Sequence, residues 1–276
     1  MNPDMSLLGV DFTSAPCRHK PITVATGRFV DGALHLLTLE DCVDWQAFDT
    51  LLRRPGPWLG AFDFPFGLPR EAVIDLGWPD DWPSLVRHCR QIGRTSFRAS
   101  LDAYRQTRPY GRRYAHRAVD SHAGSHSPLK LVNPPVGLMF LEGAPRLLDA
   151  NISIPGMFAG DPTRNALEAY PGFLARSINT APYKSDERAK QTPARHATRR
   201  QILDAVEAGT HMLSLPVRLT REQRQLLTDD ARGDRLDALL ALVQGAWAAI
   251  RGDRNFGLPT QFDPLEGWIA GVPSQC

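Results

Sequence analysis

Cysteine is scarce in this chain of 276 residues: Cys17, Cys42, Cys89 and Cys276, no two of them in a C-x-x-C pair. That spacing excludes zinc ribbons and dithiol redox motifs. So few cysteines in a chain of this length read as reduced thiols rather than a disulfide framework. Long hydrophobic runs are missing too. The longest, Ala238 to Ile250, is interrupted by Gln244 and is too short to cross a bilayer. The opening MNPDMSLLGV carries an acid and no basic stretch, so no secretory leader is expected. A cytoplasmic protein without a membrane partner is the expectation. The net charge of +2 excludes a globally basic nucleic-acid binder, so any such signal must come from where the charges sit. With 42% hydrophobic and 22% charged residues the composition is that of a folded globular chain.

What is present reads as an α/β protein. SLLGVDF is a short buried strand. PITVATGRF and GALHLLTLE pair as a hairpin turning at Asp31-Gly32. DWQAFDTLLRR is a helix opened by Asp44 and ended by Pro55-Gly56, and WLGAFDF is the next strand, stopped by Pro65 and Pro69. The pattern weakens from about Ser84 to Gly160, then resumes with a strand at NALEAYP and a helix after Pro171. ARHATRRQILDAVEAG, LTREQRQLL (capped by Thr220) and GDRLDALLALVQGAWAAI complete the chain as helices.

Three acids end strands: Asp11 in LLGVDF, Asp63 in LGAFDFP and Glu168 in NALEAYP. Strand ends are where open α/β sheets bind ligands. Each acid alone can be explained as a turn or helix cap. Asp63, between Phe62 and Phe64, is costly to bury unless it is paired. Acids converging there would repel one another without a cation, and hard ions such as Mg²⁺ or Mn²⁺ take carboxylate oxygens. Pairing of Asp63 with metal rather than with a basic side chain is therefore expected. Asp234 and Asp237, three apart at the start of the last helix, share one face. Asp237 opens an apolar run and belongs near the buried side, whereas Asp234 also suits the helix start electrostatically.

GVDF, FDFPFGLP, EAYP, PYKSDERAK and DRLDAL follow one another in that order. With these segments the chain resembles the RuvC-type branch of the RNase H-like nucleases, and more closely an uncharacterised family of predicted RNase H-like nucleases. The resemblance implies a mixed five-stranded sheet, three antiparallel strands then parallel ones, flanked by helices. The core would comprise residues 1–90 and 160–276, with 91–159 a basic helical and loop insertion forming a cap. It also implies a two-metal nuclease site for Mg²⁺ or Mn²⁺, with catalytic Asp11, Asp63, Asp234, Asp237 and Glu168. Asp11 would bridge both ions, Asp63 hold one and Asp237 the other, while Glu168 could be a ligand, an outer partner or a turn residue. The implied reaction is hydrolysis of phosphodiester bonds in DNA or RNA.

The stretch from Val86 to Arg117 holds nine arginines and one acid, Asp102, with tyrosines interleaved. Arginines for phosphates and aromatics for bases make Arg105, Arg108, Tyr110, Arg112 and Arg113 candidates for nucleic-acid contact, joined by Lys184 and Arg188 from a second basic stretch. The same pattern also describes a solvated helix face. His122 and His126 have a metal-like spacing, but Gly124 and the flanking serines place them in a loop rather than on one helix. Two other readings share the fold: an ATP-binding phosphotransferase of the sugar-kinase/actin type, and a nucleic-acid-binding module without catalysis. Against the first, Phe12 stands where its phosphate loop needs glycine.

Overall fold

The computed structural model describes residues 5–274, so Cys276 and the first four residues of the opening segment lie outside the described residues. Three antiparallel strands come first: β1 (Ser6–Asp11), β2 (Ile22–Val30) and β3 (Ala33–Cys42). Asp31 and Gly32, both at positive φ, make the β2–β3 turn, the conformation a tight hairpin loop demands. Helix α1 (Trp45–Leu52) is capped by the Asp44 side chain on the Ala47 amide and leads to β4 (Trp58–Phe62). There follow α2 (Arg70–Asp75), α3 (Trp82–Thr107), α4 (Ala118–Ala123) and α5 (Val136–Asp149). Then come β5 (Ile152–Ser153), β6 (Asp161–Glu168), α6 (Pro171–Ile178), α7 (Pro193–Ala208), β7 (Val217–Arg218), α8 (Arg221–Asp229) and α9 (Asp234–Ala249).

The fold is α/β, built on a mixed sheet ordered β5-β6-β4-β1-β2-β3-β7. It has seven strands, where five were expected. The two extra strands, β5 and β7, are two-residue pieces that pair parallel to β6 and β3 at the sheet edges. The stretch of weakened pattern contains a 26-residue helix, α3, kinked at Gly93. Its arginines lower the mean hydropathy, but Leu85, Cys89, Phe97, Leu101 and Tyr104 form a buried stripe at helical spacing. Residues 91–159 also supply Phe97, Phe140, Leu141 and Leu147 to the same apolar cluster as Leu8, Val10 and Phe62. His122 ends up on the short α4, and the chain leaves the helix at Gly124.

Alternation along the central strands sets two faces. Leu8, Val10 and Phe12 pack into one cluster with α1, α3 and α5. Leu7 faces the other way, toward α9, and so by parity do Gly9 and Asp11. The same holds for β4, where Trp58 and Phe62 point to the first face and Leu59 and Ala61 to the second. Asp63 continues the Leu59–Ala61 series. Parallel pairing of Val10 with Phe62, and a 2.9 Å bond from the Asp63 amide to the Val10 carbonyl, set the two aspartates side by side.

Helix α9 covers that face by coming unusually close to the sheet. A Cβ on Gly9 would lie 2.2 Å from the Ala238 carbonyl oxygen and 2.2 Å from the Leu242 nitrogen. Ala241 packs against Ala61, and Gly245 clears Ala61 and Leu59. Gly9→Ala should therefore push the helix away from β1. We expect a loss of more than about 3 kcal/mol, the upper part of the range for overpacked cores. Denaturant unfolding checks this; a loss below about 1 kcal/mol would show that the helix can retreat freely.

Candidate metal centre

Helix α9 begins at Gly233, whose φ of +77° suits glycine. Its first turn carries Asp234 and Asp237 and lies over the ends of β1 and β4. One carboxylate oxygen from each of Asp11, Asp63 and Asp237 falls within 4.8 Å of the others. Asp237 is fully buried, while Asp11 and Asp63 border the cavity and retain partial exposure.

The partners of the three acids differ. Both oxygens of Asp237 are engaged: Tyr183 Oη donates to Oδ1 at 2.5 Å and Lys184 Nζ donates to Oδ2. Among the described residues, no protein donor bonds the carboxylates of Asp11 or Asp63. Burial raises the Asp11 carboxyl well above the usual range, and Asp237 raises it further; Lys184 opposes both. Asp63 is pushed up to about 7, by burial first and then by Asp237, again against Lys184. Asp234 is pushed up to about 6, by burial and then by Asp230. Lys184 goes the other way. Burial alone would lower its pKa, but Asp237, Tyr183 and Asp11 hold it above the ordinary lysine value.

The loop carrying Tyr183 and Lys184 is clamped in place. The buried Arg199 of α7 donates to the Tyr183 carbonyl at 2.7 Å and to the Thr228 carbonyl at 2.7 Å. Arg195 donates to the Lys184 carbonyl, and the Ser185 amide bonds the Ala231 carbonyl at 3.1 Å. Lys184 was expected on a nucleic-acid surface. Its ammonium instead sits inside the acidic site. Arg188, from the same basic stretch, lies in a short 3₁₀ turn (Arg188–Lys190).

Glu168 does not join the three aspartates. In β6 it pairs with Phe62, and Leu167 pairs with Ala61, so alternation puts Leu167 and Ala169, not Glu168, on the α9 side. Its oxygens accept from Arg117 Nη1 and Nη2, each at 2.7 Å, and from the Phe66 amide at 2.9 Å. Arg117 also bonds Asp120 at 2.9 Å, and all three side chains are buried. Burial pulls the Arg117 pKa down, yet Glu168 and Asp120 more than offset it and hold the guanidinium charged. This buried triad gave no sequence signal: Arg117 looked like the last arginine of the basic stretch.

The remaining arginines of that stretch are largely spoken for. Arg90 pairs with Asp149 at 2.5 Å, Arg105 with Asp102 at 3.0 Å, and Arg108 with Glu71 at 2.6 Å. Arg113 stacks over Tyr110, which is 91% exposed. A cavity of about 850 Å³ opens beside the aspartates, lined by Asp11, Asp63, Asp234, Lys20, Arg176 and Arg232 among others. None of Arg105, Arg108, Tyr110, Arg112 and Arg113 lines it. No helix among the described residues is long and apolar enough to cross a membrane. Compared with protein-family models, curated proteins and solved structures, the chain finds no match.

The donor set fits a hard divalent cation. It offers carboxylate oxygens within reach of one another, two of them bare, at the rim of a cavity. Without such an ion the native state holds Asp63 protonated up to about pH 7, while the unfolded chain ionises it near the model value of 3.8. The native state then binds more protons across that window, so stability falls as pH rises from about 4 to 7. Thermal melts in EDTA should show this slope. Asp63→Asn should flatten it, and an unchanged slope would assign the effect to other groups. Removing the other buried charge should be harsher: Arg117→Met leaves Glu168 and Asp120 facing each other unpaired, a loss of about 3–5 kcal/mol. Urea unfolding measures it, and a near-neutral result would mean water or relaxation replaces the guanidinium.

Proposed function

We propose that the chain is a divalent-metal-dependent nuclease that hydrolyses phosphodiester bonds in DNA or RNA. The observation that carries this reading is the meeting of Asp11, Asp63 and Asp237, from the ends of two adjacent parallel strands and the first turn of a helix. The strand order supports it. An antiparallel β1-β2-β3 unit, with β4 and then β6 running parallel to β1 on its other side, is the arrangement expected of an RNase H-like core.

Asp11, Asp63 and Asp237 would hold the cation, Mg²⁺ or Mn²⁺. When bound, it supplies Lewis-acid polarisation of a phosphoryl oxygen and an activated water. The chain's own groups do the rest. Tyr183 and Lys184 fix the Asp237 carboxylate by a hydrogen bond to each oxygen, as outer partners fix metal ligands. Lys184, Lys20, Arg176 and Arg232 set positive charge around the cavity, where a phosphodiester chain would be drawn in and steered. The Arg117–Glu168 pair holds the loop after β4, through the Phe66 amide, at the cavity wall. The phosphotransferase alternative draws less support. Phe12 is buried and packs 4.5 Å from the Phe64 ring centroid, so the turn after β1 is an apolar anchor rather than a phosphate loop.

The test is cleavage of single- and double-stranded DNA and RNA with Mn²⁺. The wild type should cut at least one of them and lose activity in EDTA. Asp11→Asn and Asp63→Asn should each lose more than the ~10–100-fold typical of losing an outer partner, with melting in EDTA retained. A wild type that cuts none of the four substrates would remove the nuclease reading.

A further inference from the structure

The charges around Asp237 bear on how many ions the site takes. Three carboxylates and one ammonium leave a net charge of −2, which a single divalent cation cancels. Asp234 adds little to this, because Arg232 Nε lies 3.7 Å from it. A two-ion site needs both cations roughly 3.5–4 Å apart, with acid oxygens free for each. Here only Asp11 and Asp63 are bare. Asp237 already has Tyr183 on one oxygen and Lys184 on the other. A second dication placed against Asp237 would meet the Lys184 ammonium at contact distance, and like charges that close in a low-dielectric site repel strongly.

Lys184 cannot simply swing aside with its loop. Its carbonyl is held by Arg195, and its neighbours are held through the Tyr183 carbonyl by Arg199 and through the Ser185 amide by Ala231. Its Cβ packs against Gly233 at the start of α9, where an added Cβ would lie 2.7 Å from it. The lysine is thus built into the same turn that presents Asp237.

We propose that Lys184 occupies the place of the second cation, so that the chain binds one divalent ion, between Asp11 and Asp63 with Asp237 at its edge. This rests on the metal-dependent reading above and departs from the two-ion site that the sequence resemblance implies. Lys184 is here a positioning residue: it fixes the Asp237 carboxylate and sets the number of ions.

The experiment counts ions with Mn²⁺ alone. Equilibrium dialysis and electron paramagnetic resonance of the full chain should give one isolated Mn²⁺ per wild-type molecule. Lys184→Met should take up two, with the broadened spectrum of a coupled pair, while Lys184→Arg should stay at one. Where Lys184→Met does not fold by circular dichroism, Lys184→Gln keeps a donor to Asp237 without the charge and should also bind two. Two ions on the wild type overturn the proposal and leave the metal reading intact. One ion on the wild type and on a folded, uncharged variant also overturns it, since the lysine then excludes nothing. No ion on the wild type overturns both.

Discussion

Everything at the candidate site depends on how closely α9 lies against β1. The contact is backbone to backbone: Gly9 gives up a side chain so that the Ala238 carbonyl and the Leu242 amide can approach the strand. Small residues continue the seam along the helix at Ala241 and Gly245. A helix held one side chain further out would still bury its leucines, but Asp237 would no longer reach the ends of β1 and β4. Packing here sets an electrostatic outcome, because distance decides whether three carboxylates repel weakly through solvent or strongly across a few ångströms.

The molecule handles its buried acids in two ways. Around Glu168 the protein supplies the counter-charge itself, a guanidinium whose fork matches the carboxylate with two 2.7 Å bonds. Around Asp11 and Asp63 it does not. One lysine serves three acids, and the two bare carboxylates resist ionisation as a result. The contrast separates a structural charge cluster from a site held in readiness for something that enters through the cavity. The two clusters lie close enough for Glu168 to raise the Asp63 carboxyl as well.

Much of this could be read from the residues, with misses that have physical causes. The hairpin at Asp31-Gly32, the Asp44 cap, the strand stopped by Pro65 and the helix starting at Asp234 rest on local chemistry, and the structure shows each of them. Asp11, Asp63 and Asp237 stood out because each interrupts an apolar run. Glu168 stood out for the same reason, but strand alternation turns it away from the others; setting NALE beside LGAF in register would have exposed the difference in parity. The long α3 was hidden by averaging, since arginines on one face mask an apolar stripe on the other. The edge strands β5 and β7 are two residues each and exist only because a neighbour offers unpaired backbone groups. Lys184 was grouped with surface cations because nothing local distinguishes it. Its role comes from contacts with α7 and α9, remote in the chain.

The Gly9 seam also has a temporal side. The strand is among the first parts of the chain to be made and the helix that covers it among the last. Until α9 emerges from the ribosome, the Leu7 and Leu59 face of the sheet has no lid and Asp11 and Asp63 have no third acid beside them. Contacts of such long sequence separation form slowly, and an uncovered sheet face is adhesive while it waits. A nascent chain of this design therefore spends most of its synthesis with its catalytic face open and inert, becoming both soluble and chemically competent in a single late docking step.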